Sequence, residues 1–114
     1  MHGIVLTSVF ERQAKREGLS DSEVMEIASA IAADPAGGTL IVGTGGARKV
    51  RHAGRGKGKS GGYRTVHYYG GDEIPIFLLA VYGKCEKGNL TQAERNELAR
   101  TLFQIADTYR KFKI

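Results

Sequence analysis

The chain has 114 residues, 41% of them apolar, with 17 Lys and Arg against 12 Asp and Glu and one cysteine. That length suits a single domain over residues 1–114, burying roughly two-thirds of its unfolded surface, and the apolar content excludes a disordered basic tail. The lone Cys85 excludes an internal disulfide and two-cysteine metal motifs, while the lack of a membrane-length apolar run or leader-like N-terminus predicts a soluble cytoplasmic protein.

Residues 3–6 (GIVL) are apolar and β-branched and predict a short strand. SVFERQAKREG reads as a short polar helix ended by Gly18 at the C′ position. In LSDSEVMEIASAIAADP, Ser20 and Glu23 form a capping box and Leu19 and Val24 a hydrophobic staple. Val24, Ile27, Ala28 and Ile31 then repeat at helical spacing until Pro35. GGTLIVGTGG is a glycine-punctuated connector carrying a short apolar segment, residues 40–42.

Three strands are predicted next, over 47–53, 63–69 and 74–82, as an antiparallel meander. In the second, Arg64, Val66 and Tyr68 share one face, and Tyr63, Thr65, His67 and Tyr69 the other. GGDE supplies a hairpin turn, and IPIFLLAVY is apolar enough for a strand covered on both faces. Thr91 and Glu94 open a final helix with a second capping box. Leu98, Leu102, Ile105, Tyr109 and Phe112 form its apolar face, and Arg110, Lys111 and Lys113 suit its negative end. The expected class is α+β: a small, mainly antiparallel sheet with two N-terminal helices and one C-terminal helix.

Positive charge is concentrated locally. Residues 48–64 hold seven Lys or Arg, five Gly and no acid, whereas the rest of the chain has ten basic and twelve acidic residues. Antiparallel strands reverse direction, so the end of the first, the start of the second and the end of the third share one sheet edge. Arg51, Arg64 and Lys84 meet there, together with the loop of Arg55, Lys57 and Lys59. Asp72 and Glu73 fall at the opposite edge.

GRGKGKS resembles a phosphate loop, but Ala53 occupies the place of its first glycine and a strand follows where a helix is required. A metal-dependent nuclease needs clustered carboxylates, and only Glu86 lies near this edge, so no metal or other cofactor is implied. His52 can reach the cluster as a phosphate contact, a structural residue or a proton carrier, while strand parity turns His67 away. Lysine and arginine bind phosphates through charge, and glycines permit close backbone approach. The tyrosines at 63, 68, 69 and 82 read first as core or cross-strand pairs, and alternatively as stacking surfaces for bases. Nucleic-acid binding is the function left, through Lys49, Arg51, His52, Arg55, Tyr63 and Tyr82.

GTGGARKVRHAGRGKGKSGGYRTVHYY followed by IFLLAVYGKCEKGNLTQAERNEL resembles the RelE/HigB type of bacterial toxin. The basic glycine-rich loop, the GGYR strand entry and VYGK together carry the likeness, which extends over most of the chain. It implies the toxin of a type II toxin–antitoxin pair, with the RelE/ParE-like fold. The implied activity is metal-free cleavage of mRNA in the ribosomal A site by attack of the 2′-hydroxyl on the adjacent phosphate. The implied partners are a cognate antitoxin of helix-turn-helix type and, through it, operator DNA; no membrane is involved. The resemblance maps the catalytic cations to Lys57, Lys59, Arg64 and Lys84. The loop from 51 to 64 exceeds that of the shortest relatives, so Lys49 and Arg51 are an alternative match for the basic pair. The position of a catalytic tyrosine in some relatives holds Leu90, leaving either Tyr82 or Tyr63 to substitute or the role vacant. A non-catalytic RNA- or ribosome-binding module and a ParE-like gyrase inhibitor are the alternative functions.

Overall fold

The structure is a computed structural model describing residues 3–52, 62–71, 73–83 and 91–111. Along these residues run β1 (Ile4–Leu6), α1 (Ser8–Arg16), α2 (Asp21–Ala33), β2 (Thr39–Leu40), β3 (Ala47–His52), β4 (Tyr63–Tyr68), β5 (Ile76–Gly83) and α3 (Gln92–Lys111). The sheet order is β1-β5-β4-β3-β2, with β1 parallel to β5 and every other neighbour antiparallel. This is the expected α+β class. No helix among the described residues is long and apolar enough to cross a membrane.

Local chemistry sets the helix ends. Thr7 caps α1 by accepting the Phe10 amide, and Gly18 follows its end at φ +77°, a conformation glycine adopts without steric cost. Ser20 and Glu23 form the complete capping box on α2, and Thr91 and Glu94 exchange the same two bonds at 2.9 and 3.1 Å before α3. The staple pair Leu19 and Val24 packs against the core beneath α2.

The sheet separates two apolar clusters. On one face Phe10 and Ala14 of α1 and Ile27, Ala28 and Ile31 of α2 cover Ile76, Leu78 and Val81. On the other, Leu98, Leu102 and Ile105 of α3 cover Ala47, Val66, Tyr68, Leu79 and Tyr82. Tyr109 continues that contact edge-on to Phe77, with ring centroids 6.1 Å apart. Phe112 lies outside the described residues.

Three details depart from the sequence reading. α1 is amphipathic and not simply polar, because Phe10 is 0% exposed. Thr39 and Leu40 form an edge strand paired with Lys49 and Arg48, where a connector was expected. Its entry requires Gly38, at φ +80°, where a Cβ would stand 2.5 Å from the Lys49 carbonyl oxygen. The third strand begins at Ile76, which leaves Pro75, lacking an N–H, outside the ladder.

The β4–β5 ladder also slips between Val66 and His67. Val66 pairs with Ala80 and His67 with Leu78, so Leu79 is the extra residue of a bulge. Strict alternation would put Phe77 and Tyr82, five residues apart, on opposite faces. The slip places both on the α3 side.

Candidate active site

The β3–β4 ladder sets Arg51 directly opposite Arg64, and the β4–β5 ladder sets Arg64 opposite Tyr82. Directly paired residues point to the same face, so Arg51, Arg64 and Tyr82 form one row across three strands on the α3 side. Arg51 is exposed and Arg64 half-buried. The register thus brings two arginines to directly opposite positions on one face. Lys49, opposite Val66, lies on the same face two pairs further along β3.

This row ends the sheet at the edge anticipated from strand direction. β3 leaves it into residues 53–61 and β5 into residues 84–90, beyond His52–Tyr63 and Tyr63–Gly83, the last pairs of the two ladders. Arg55, Lys57, Lys59 and Lys84 belong to those segments, outside the described residues.

His52 does not share that row. It pairs with Tyr63 on the opposite face, and its Nε2 is 2.9 Å from Thr65 Oγ1. Tyr63 is half-buried and packs against the cluster beneath α1 and α2. His52 follows Arg51 directly in β3, so strand alternation alone separates it from the row. Tyr82 has the right face but is only 5% exposed, so it presents no open stacking surface. Its hydroxyl is buried without a hydrogen-bond partner among the described residues.

Behind the row, two side chains fix the segment after α2. His67 is fully buried, with Nε2 2.9 Å from the Pro35 carbonyl oxygen, and Arg48 Nη1 donates to the Ala36 carbonyl at 2.7 Å. A carbonyl can only accept, so His67 carries its proton on Nε2, leaving Nδ1 without a hydrogen-bond partner among the described residues. Burial lowers the pKa of His67, the bond to Pro35 raises it, and the Arg48 charge lowers it, with a net fall from 6.5. His52 is also lowered from 6.5, by burial and then by His67. Groups with depressed folded-state values bind fewer protons folded than unfolded, so stability is retained above about pH 6.5 and lost as pH falls below it. Urea midpoints should therefore drop between pH 7.5 and 5, and the drop should shrink in a His52→Gln, His67→Gln double variant.

Residues 2–113 match the family described as the RelE toxin of the RelE/RelB toxin–antitoxin system. The chain belongs to the RelE toxin family. Its role is that of the toxin in a toxin–antitoxin pair, and a cognate antitoxin is its partner. In this toxin the family fold brings Arg51, Arg64 and Tyr82 into one row and turns His52 and Tyr63 away from it.

Sequence reasoning missed how α1 supports that row. Gln13 Oε1 accepts the Val81 amide at 2.9 Å, tying β5 to α1 beyond the point where β1 stops at Leu78. A polar residue in a short helix carries no local sign of such a bond.

Proposed function

We propose that this toxin is a ribosome-dependent endoribonuclease that cuts mRNA in the A site without a metal ion. The observation that carries the reading is the Arg51–Arg64 pair, two cations held face to face at the sheet edge where the basic segments join. Lys57, Lys59 and Lys84 complete the site in this proposal, with Lys49 and Arg55 guiding the RNA backbone. Residues 1–114 act as one domain.

The reaction follows from a site made of cations. The 2′-oxygen attacks phosphorus, the bond from phosphorus to the 5′-oxygen breaks, and the products are a 2′,3′-cyclic phosphate and a 5′-hydroxyl. Negative charge grows on the non-bridging oxygens in between, and fixed guanidinium groups stabilise it as oxyanion-hole donors do. Arg64, anchored within β4, holds that phosphate. Crowded ammonium groups disfavour each other's charged form, which frees Lys57 or Lys59 to take the 2′-hydroxyl proton. A second cation returns a proton to the departing 5′-oxygen.

The test is controlled expression in bacteria with mapping of mRNA 5′ ends. Growth arrest with new 5′-hydroxyl ends in frame with codons supports the reading. Arrest without new ends assigns the toxin to ribosome or RNA blocking, and double-strand DNA breaks assign it to gyrase inhibition.

A further inference from the structure

The first turn of α3 carries a cation that belongs neither to the sheet nor to the basic segments, Arg95. Tyr109 meets Phe77, and Leu98 lines one cleft with Ala80 and Tyr82. α3 therefore runs antiparallel to β5 and starts at the sheet end where Tyr82 stands opposite Arg64. Arg95, nearly one turn before Leu98, lies at that end.

Helical phase decides which way Arg95 faces. Leu98, Leu102 and Ile105 sit on the sheet. Glu94 and Glu97 turn to one side of that stripe, toward Gln13 and Arg16 of α1. At about 3.6 residues per turn, Arg95 and Ala99 fall on its other side. α1 meets α3 along β5, so in the order β1-β5-β4-β3-β2 the other flank of α3 overlooks β4 and β3. Arg95 and Ala99 are both half-buried, and α3 also contacts β3, as that placement requires. The cations of β4 and β3 on this face are Arg64, Arg51 and Lys49.

Neighbouring amides aim the head group. Gln92 Nε2 donates to Asn96 Oδ1 at 3.0 Å, which leaves Gln92 Oε1 to accept from Arg95 Nη2 at 3.2 Å. Gln92 is the first residue of α3, so the guanidinium is drawn back along the helix toward the sheet end. The helix dipole does not account for a cation here, since a first turn favours acids.

We propose that Arg95 is a further RNA-binding residue, which grips the backbone phosphate next to the one held by Arg64. Arg51 and Arg64 then hold the strand from the sheet and Arg95 holds it from the helix, with Gln92 setting the orientation of its fork. Such a contact is made equally before and during the reaction, so it tightens binding without changing the chemical step. The proposal rests on the nuclease reading and adds to it a residue and a second phosphate.

Steady-state cleavage of message on programmed ribosomes tests it. Arg95→Gln should raise KM about tenfold and leave kcat unchanged, the loss of one charge-assisted phosphate bond. That difference should shrink as salt is raised. Arg95→Lys should recover part of the loss, because charge returns without the planar fork. Arg100→Gln, at an exposed position paired with Glu97, should match wild type. Arginine and glutamine are both good helix formers, so the urea midpoint of Arg95→Gln should stay in place. The photoreactive p-benzoylphenylalanine at position 95 should crosslink mRNA at the A-site codon, and at position 100 should not. An unchanged KM, a raised KM with a lowered urea midpoint, or crosslinks to ribosomal RNA alone would overturn the proposal. If the wild-type toxin cuts no message, the nuclease reading fails by itself, and the crosslink still decides whether Arg95 meets mRNA. Normal cleavage by wild type with no mRNA crosslink from position 95 removes only this proposal.

Discussion

Arg64→Ala should lower mRNA cleavage by about 10²–10³-fold, the loss expected when one fixed donor to a developing oxyanion is removed. Arg64 is held within β4 between Arg51 and Tyr82, so its head group is placed by two ladders and not by a loop. Arg64→Lys retains the charge but not the planar fork that grips two phosphate oxygens, and should fall between wild type and alanine. Primer extension on ribosome-bound message measures both effects, with circular dichroism on the same samples. Cleavage at the wild-type rate by Arg64→Ala would move the phosphate contact to another cation.

Phe10→Ala should destabilise the fold by about 3–5 kcal/mol, read from urea midpoints. Phe10 is fully buried among Ala14, Ile27, Ile31, Ile76, Leu78 and Val81, where α1, α2 and β5 meet. Loss of that ring leaves a cavity in the apolar cluster that α1, α2 and β5 share. Domains of this size have only about 5–15 kcal/mol in total, so the variant should also lose its fold at moderate temperature. Because β5 contributes to both apolar clusters, unfolding should remain a single transition for all spectroscopic probes. Two separated transitions would contradict one domain over the whole chain.

The elements were legible where one physical signal acted alone. Both capping boxes and the Ile27, Ala28, Ile31 stripe declared α2 and α3, because caps and helical periodicity are local. The arginine row was legible from strand direction, since hairpin connections fix which ends meet. What escaped was set by tertiary contact. Arg51 and His52 take opposite faces by strand alternation alone, and the register with Arg64 and Tyr63 fixes which neighbours each one meets. Phe10 in a mostly polar helix, and β2 in a stretch of two paired residues, gain their structure from β5 and β3 respectively.

The slip at Leu79 makes the two strands keep different time. β4 runs from Tyr68 to Arg64 in four steps, and β5 needs five from Phe77 to Tyr82. The spare residue acts as a phase adjuster between the part of β5 that anchors α3 and the part that reaches the arginines. Deleting Leu79 would leave every remaining side chain in β5 as apolar as before. It would also close the ladder without a bulge, with Ala80 directly after Leu78 and Tyr82 still opposite Arg64. The presence of Phe77 and Tyr82 on one face thus rests on a bulge that the composition of the strand does not reveal.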